Sequence, residues 1–244
     1  LLCVVGFGWY VAAQQATSLP TFAPGQVLTA AALNAVVEQV SANSTALTGA
    51  VNAAPLQVNC DAGESLGQAV QRAQPGRTIQ VSGTCRERVT ITTDRLTLDG
   101  QGTAVLDGGG AGDLSPAEVV GVLPIDSARG VTITGVTVQN GHDGIVGRRG
   151  AVFAVRDTLV QDNALGGIHA EDNTTVEITD CTVQRSGGGI EIFHNSNATF
   201  RGTIRSMNNT IDGIFIFGTS VGEFLGATIE ANNNGRAGLT GGGG

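Results

Sequence analysis

Arg148, His169, Glu171 and Glu191 recur at matching places in a sequence that repeats itself at short intervals, and Phe193, Phe215 and Phe217 continue the same series. Two carboxylates, an imidazole and a guanidinium beside exposed rings are the ingredients of acid–base chemistry on a polymeric sugar, where one group gives a proton and another takes one. His169, Glu171, Glu191 and Arg148 are therefore the candidate catalytic groups. Together with Phe193, Phe215 and Phe217 they make one candidate ligand-binding face. Glu171 and Glu191, on adjacent repeats, are expected close enough to shift one another's pKa. Against catalysis stands the plainer reading, in which the charges are solvated and the rings pack under a loop or a second chain.

What would bring these side chains together is a recurring pair. Gly144-Ile145, Gly167-Ile168, Gly189-Ile190, Gly213-Ile214 and Gly238-Leu239 follow one another at 23, 22, 24 and 25 residues. A unit this short, rich in β-branched residues and Asn/Gly turns, cannot bury its own apolar face and must stack as one rung of a solenoid. Strand alternation then assigns directions. With Ile145, Ile168, Ile190 and Ile214 inside, Val146, His169, Glu191 and Phe215 face out, as do Arg148, Glu171, Phe193 and Phe217 two residues on. In a second row Ile133, Val155, Ile178 and Phe224 precede Val138, Val160, Val183 and Ile229 by five residues. The rung of Phe200 departs, because five residues on stands Arg205, and a one-residue shift puts Ile204 inside. Asn140, Asn163, Asn209 and Asn233 fall near one turn, where Asn suits left-handed backbone and its amide can bond the neighbouring rung. Short connections winding one way give a right-handed coil. The expected fold class is all-β, a right-handed parallel β-helix solenoid with an N-terminal capping helix, preceded by a short coiled-coil-like helix.

The cap is read from Ser65, which starts a short helix with Leu66, Ala69, Val70 and Ala73 on one face, closed by Pro75-Gly76. A strand over Thr78–Ser82, then Gly83-Thr84-Cys85, leads into Val89–Thr92 and Leu96–Leu98. A helix across an open solenoid end covers apolar surface and strand edges. With the repeats behind it, this order resembles the start of right-handed parallel β-helix proteins of the pectin lyase-like superfamily, over residues 58–244. The resemblance implies the fold, and as activities a polysaccharide lyase or a glycoside hydrolase. Asn140-Gly141-His142-Asp143-Gly144 is similar to the Gly-His-Gly of polygalacturonases but carries an inserted Asp, so it reads as a turn. The calcium-binding Asp cluster of pectate lyases has no clear counterpart, since Asp143, Asp172, Asp180 and Asp212 are expected on different rungs and partly different faces.

Ahead of the solenoid, residues 1–13 read as a signal-peptide remnant, and 14–57 as a linker and helical segment. Thr29 can cap a helix to about Val51, on which Leu33, Val37, Val40, Ser44, Leu47 and Val51 alternate steps of four and three, the coiled-coil seam. Either this helix docks on its own domain or it builds a homotrimer. Its leader, Phe22 to Asn34, resembles one found ahead of helical segments in phage tail-fibre and bacterial surface proteins. The chain stops in a Gly-rich stretch without a cap, which reads as a truncated C-terminus.

A net charge of −8, with every one of the 13 basic residues Arg, argues against nucleic acid or an anionic membrane as partner. Cys60 and Cys85 flank 24 residues and suit a disulfide in an exported protein; Cys181 falls at an interior position and Cys3 leaves with the signal. Cys and His lack ligand spacing, so no metal site and no cofactor are expected, with calcium in an acidic turn left open. Loss of Trp9 and Tyr10 with the signal leaves Phe as the only aromatic, which counts against a sugar-processing groove. The favoured reading is an exported protein, secreted, periplasmic or on the cell surface, that binds a polysaccharide or cell-surface glycan in an adhesive or structural role. Catalysis on a polysaccharide is the alternative.

Overall fold

The computed structural model describes residues 29–51, 54–110 and 121–242. The signal remnant and the first part of the leader lie outside the described residues. The chain divides into two units, Leu1–Ala53 and Ala54–Gly244. In the first, Ala30–Val51 is helical, and the Thr29 hydroxyl accepts from the Ala32 amide at 3.2 Å, the expected cap. Leu33, Val37 and Val40 of the seam are exposed. No helix among the described residues is long and apolar enough to cross a membrane.

The second unit is a right-handed parallel β-helix built from a thirteen-stranded and a six-stranded sheet. Ile145, Ile168, Ile190 and Ile214 stack in register and are fully buried, with Leu123 extending the row at one end and Leu239 at the other. Glycine precedes them because the chain passes too close for a side chain. A Cβ on Gly189 would run into the Gly213 carbonyl and the Ser206 hydroxyl, and one on Gly167 into Val183. The row Ile133, Val155, Ile178, Phe200, Phe224 is also in register, and its two rings stack at 4.8 Å.

Two details differ from the sequence reading. Ile204 is buried and pairs with Ile229, but the place beside Val183 belongs to Ser206, whose hydroxyl donates to the Gly213 carbonyl at 2.6 Å. A small polar residue fits there because its hydrogen bond to the opposite wall replaces apolar contact. The amide ladder likewise runs through Asn163, Ser186, Asn209 and Asn234. Each takes the backbone N–H of the preceding rung's member, beginning with Gly141 to Asn163 at 2.9 Å. Asn140 and Asn233 instead hold left-handed backbone, at φ of 57° and 56°.

At the N-terminal end, helix Leu66–Arg72 buries Leu66, Ala69 and Val70, and Ser65 caps it by accepting from the Gln68 amide. The Glu87 carboxylate takes the Leu66 and Gly67 amides at 2.6 and 3.2 Å. Cys60 and Cys85 are disulfide-bonded, closing 25 residues of sequence onto the capped end. Replacing both by Ser is expected to cost about 3–4 kcal/mol, measured as a lower urea midpoint for the oxidised protein. An unchanged midpoint would show that the cap does not unfold with the solenoid. Cys181 is buried, donates to the Val155 and Thr179 carbonyls, and is pushed up to about 12 by burial, as inert as the sequence suggests.

Candidate functional site

The six-stranded sheet carries the candidate residues, and the feature that organises them lies two positions before each inward aliphatic. There the rungs read Gly121, Asp143, Gly166, Gly188 and Asp212. Two aspartates flank two glycines, and the missing side chains leave a notch. His169 and Glu191 fold into it. A Cβ on Gly166 would lie 2.9 Å from Asp143 Oδ1, 2.9 Å from Glu191 Oε2 and 3.7 Å from His169 Nδ1. The two carboxylate oxygens are thus within about 6 Å of each other, where like charges couple.

Asp143 is 1% exposed and accepts from the Gly166 amide at 2.8 Å, with His142 Nδ1 3.1 Å and His169 Nδ1 3.8 Å away. Burial works to raise its pKa, but His169, the Gly166 amide and His142 outweigh it and hold the carboxyl below the ordinary range. For His169 burial works downward, and Asp143, Glu191 and Glu171 outweigh it, so the ring holds its proton above the usual histidine value. Neither of its ring nitrogens has a hydrogen-bond partner, so the attraction to Asp143 is that of an ion pair. Glu191 is raised, first by burial and then by Asp143 and Asp212, against the pull of His169 and Arg236. A buried carboxyl with its pKa lowered, beside an imidazole and a second carboxyl with theirs raised, is the opposite of solvated decoration.

Beside the notch is an open cavity of about 440 Å³ lined by His169, Glu171, Phe193, His194, Phe215 and Phe217. Its wall is a chain of ring contacts, from His169 to Phe193 at 5.0 Å, Phe193 to Phe215 at 5.5 Å and Phe215 to Phe217 at 5.7 Å. Five of the seven sequence candidates, His169, Glu171, Phe193, Phe215 and Phe217, meet here. Glu191 turns from Glu171 toward Asp143, so the expected carboxylate pair is replaced by a different one. Arg148 does not line the cavity; it donates to Asp126 at 3.1 Å, and Arg149 binds the same carboxylate.

The sequence reading missed Asp143, Asp212 and Arg236. Asp143, assigned to a turn with His142, begins the strand Asp143–Arg148, while the turn ends before it. Asp143 and Asp212, from the group expected on different rungs and partly different faces, share one column, and Arg236 donates to Asp212 at 2.6 Å. The signal was in the spacing: both aspartates stand two residues before the Ile of a Gly-Ile pair. Among the described residues no cluster of metal-ligating side chains occurs.

The family of right-handed β-helix regions matches residues 117–244. Among solved structures, an alginate lyase from Paenibacillus sp. str. FPU-7 is similar, with a TM-score of 0.55 and 15% identity over 76% of each chain. At that identity the likeness shows the fold alone. No curated protein matches the chain. The disulfide and the lack of a membrane-crossing helix among the described residues are compatible with an extracellular protein.

Proposed function

We propose that this chain, which belongs to the right-handed β-helix family, is an exported protein that binds a polysaccharide along the six-stranded sheet. The observation that carries the reading is the Phe193–Phe215–Phe217 wall set beside the polar notch of Asp143, His169 and Glu191. Rings of this kind cover the apolar C–H face of a pyranose, while the notch offers donors and acceptors to its hydroxyls. The wall spans two neighbouring rungs, a layout suited to an extended chain lying along the solenoid. Titration calorimetry against uncharged, acidic and amino polysaccharides is the test. The Phe215→Ala/Phe217→Ala double variant is expected to bind roughly tenfold more weakly or worse. Binding to none of the three classes, or equal binding by the double variant, overturns the reading.

A second reading, cleavage of the bound chain, is favoured by the buried notch. Glu191, whose pKa is raised by burial and by Asp143 and Asp212, donates its proton to the bridging oxygen as the C–O bond breaks. Water supplies the hydroxyl of the new end, and the carboxyl is reprotonated from solvent. The alginate lyase likeness is consistent with chemistry on a polysaccharide but names no substrate for this chain. An adhesive or fibre role gains from one different observation, the exposed Leu33, Val37 and Val40 of the helical seam, which would join three copies. Light scattering on the full chain distinguishes a trimer from a monomer.

A further inference from the structure

We infer that the glycan taken by this face is cationic, a polymer of amino sugars. The inference rests on the glycan-binding reading above and goes further by naming the charge class. Its basis is which charges on the face are already committed. The three arginines there are all held by carboxylates, Arg148 and Arg149 by Asp126 and Arg236 by Asp212. No guanidinium is left to meet an acidic sugar, and the one further cationic group on the cavity wall with a raised pKa, His169, is already drawn to the carboxylates of Asp143 and Glu191. Glu171 lines the cavity, and its carboxylate, though close enough to help raise the His169 pKa, makes no hydrogen bond or ion pair with any described residue. It is half-buried, so a partner that displaced its water would gain a charge-assisted bond.

The surroundings point the same way. Phe193, Phe215 and Phe217 line the same cavity as Glu171, and an ammonium over the face of a ring within about 6 Å of its centre is attracted to it. Asp172, at the turn after Glu171, adds a further negative charge, shared with His194 at 3.6 Å. The protein as a whole carries −8, which draws a cationic polymer and repels a polyuronate. Carboxylate, rings and net charge thus select one ligand: a pyranose whose apolar face lies on the phenylalanines and whose ammonium reaches Glu171.

The test is calorimetric titration of the full chain with three oligosaccharides of equal length, made of glucosamine, N-acetylglucosamine and galacturonic acid. A mildly acidic buffer keeps the amines protonated and carboxylates ionised. Glucosamine oligomers are expected to bind about tenfold tighter than their acetylated form, the worth of one charge-assisted contact. Glu171→Gln is expected to erase that difference, and added salt to narrow it. If the acetylated or the acidic oligomer binds as tightly or tighter, or if Glu171→Gln keeps the preference, the cationic assignment falls while glycan binding stands. If none of the three binds, both fall.

Discussion

Under the cleavage proposal, Glu191→Gln is expected to lower the rate on a polysaccharide by about 10²–10⁴, the worth of a positioned general acid. Glutamine keeps the shape and loses the proton, and it fits the space over Gly188 and Gly166 that the carboxyl occupies. Binding should survive, because the phenylalanine wall is untouched. Asp143→Asn is the companion experiment, since Asp143 supports both neighbours: it holds the His169 proton and raises Glu191. Its loss is expected to lower both pKa values and to move the alkaline limb of the rate profile, where the general acid loses its proton, to lower pH. The His169 ring resonance followed by NMR titration reports the same shift without any substrate. A ring that titrates unchanged in Asp143→Asn would dissolve the pair, and undiminished cleavage by Glu191→Gln would remove the acid.

The same three groups set a pH window for the fold. Asp143 is lowered from 3.8, so its contribution is present above that value and lost as pH falls through its folded pKa. His169 is raised from 6.5, so its contribution is complete below that value and fades as pH rises through its folded pKa. Glu191, raised from 4.5, favours the folded state while protonated, and that advantage disappears as pH climbs through its folded pKa. The site is therefore best supported in mildly acidic solution.

The rungs were legible because burial writes itself as spacing. Only aliphatics satisfy the interior, so Ile145, Ile168, Ile190 and Ile214 announce the register, and their outward neighbours follow from alternation alone. The notch was not legible by the same rule. Asp143 and Asp212 lie two residues before an inward Ile, where alternation would place them inside. In the structure the Asp143 carboxylate instead meets Glu191 and His169 around Gly166, and Asp212 is held by Arg236. Their partners are then decided by which side chains are missing, at Gly166 and Gly188, and a direction rule says nothing about where a long side chain folds. Glu191 shows this best: its outward direction was read correctly, its partner was not. Ser206 was missed for a related reason, because a buried hydroxyl is admitted only by a hydrogen bond to the opposite wall.

Ile190→Asp is expected to leave no folded solenoid, seen as loss of the cooperative thermal transition and of the β-sheet circular dichroism signal. Ile190 is fully buried and stacked between Ile168 and Ile214, in the middle of the row that both sheets enclose. Cutting this side chain back costs about 2–5 kcal/mol in lost burial and cavity. The carboxylate adds a penalty that no neighbour can offset, since the flanking residues on both sides are aliphatic. A domain stable by about 5–15 kcal/mol does not survive both. Partial folding of the rungs on either side is no escape, because each rung is held by its neighbours and a broken middle exposes two apolar ends. Glu191→Ala, one residue on, is the control with the opposite expectation. It removes a half-buried acid crowded by Asp143 and Asp212 and leaves the aliphatic row intact, so that variant should melt at the parent temperature or above. Two variants at adjacent positions, one unfolded and one not, would follow from strand alternation and from nothing that averages over local burial. A normal melt for Ile190→Asp would mean that the row of isoleucines is not the inside of the coil.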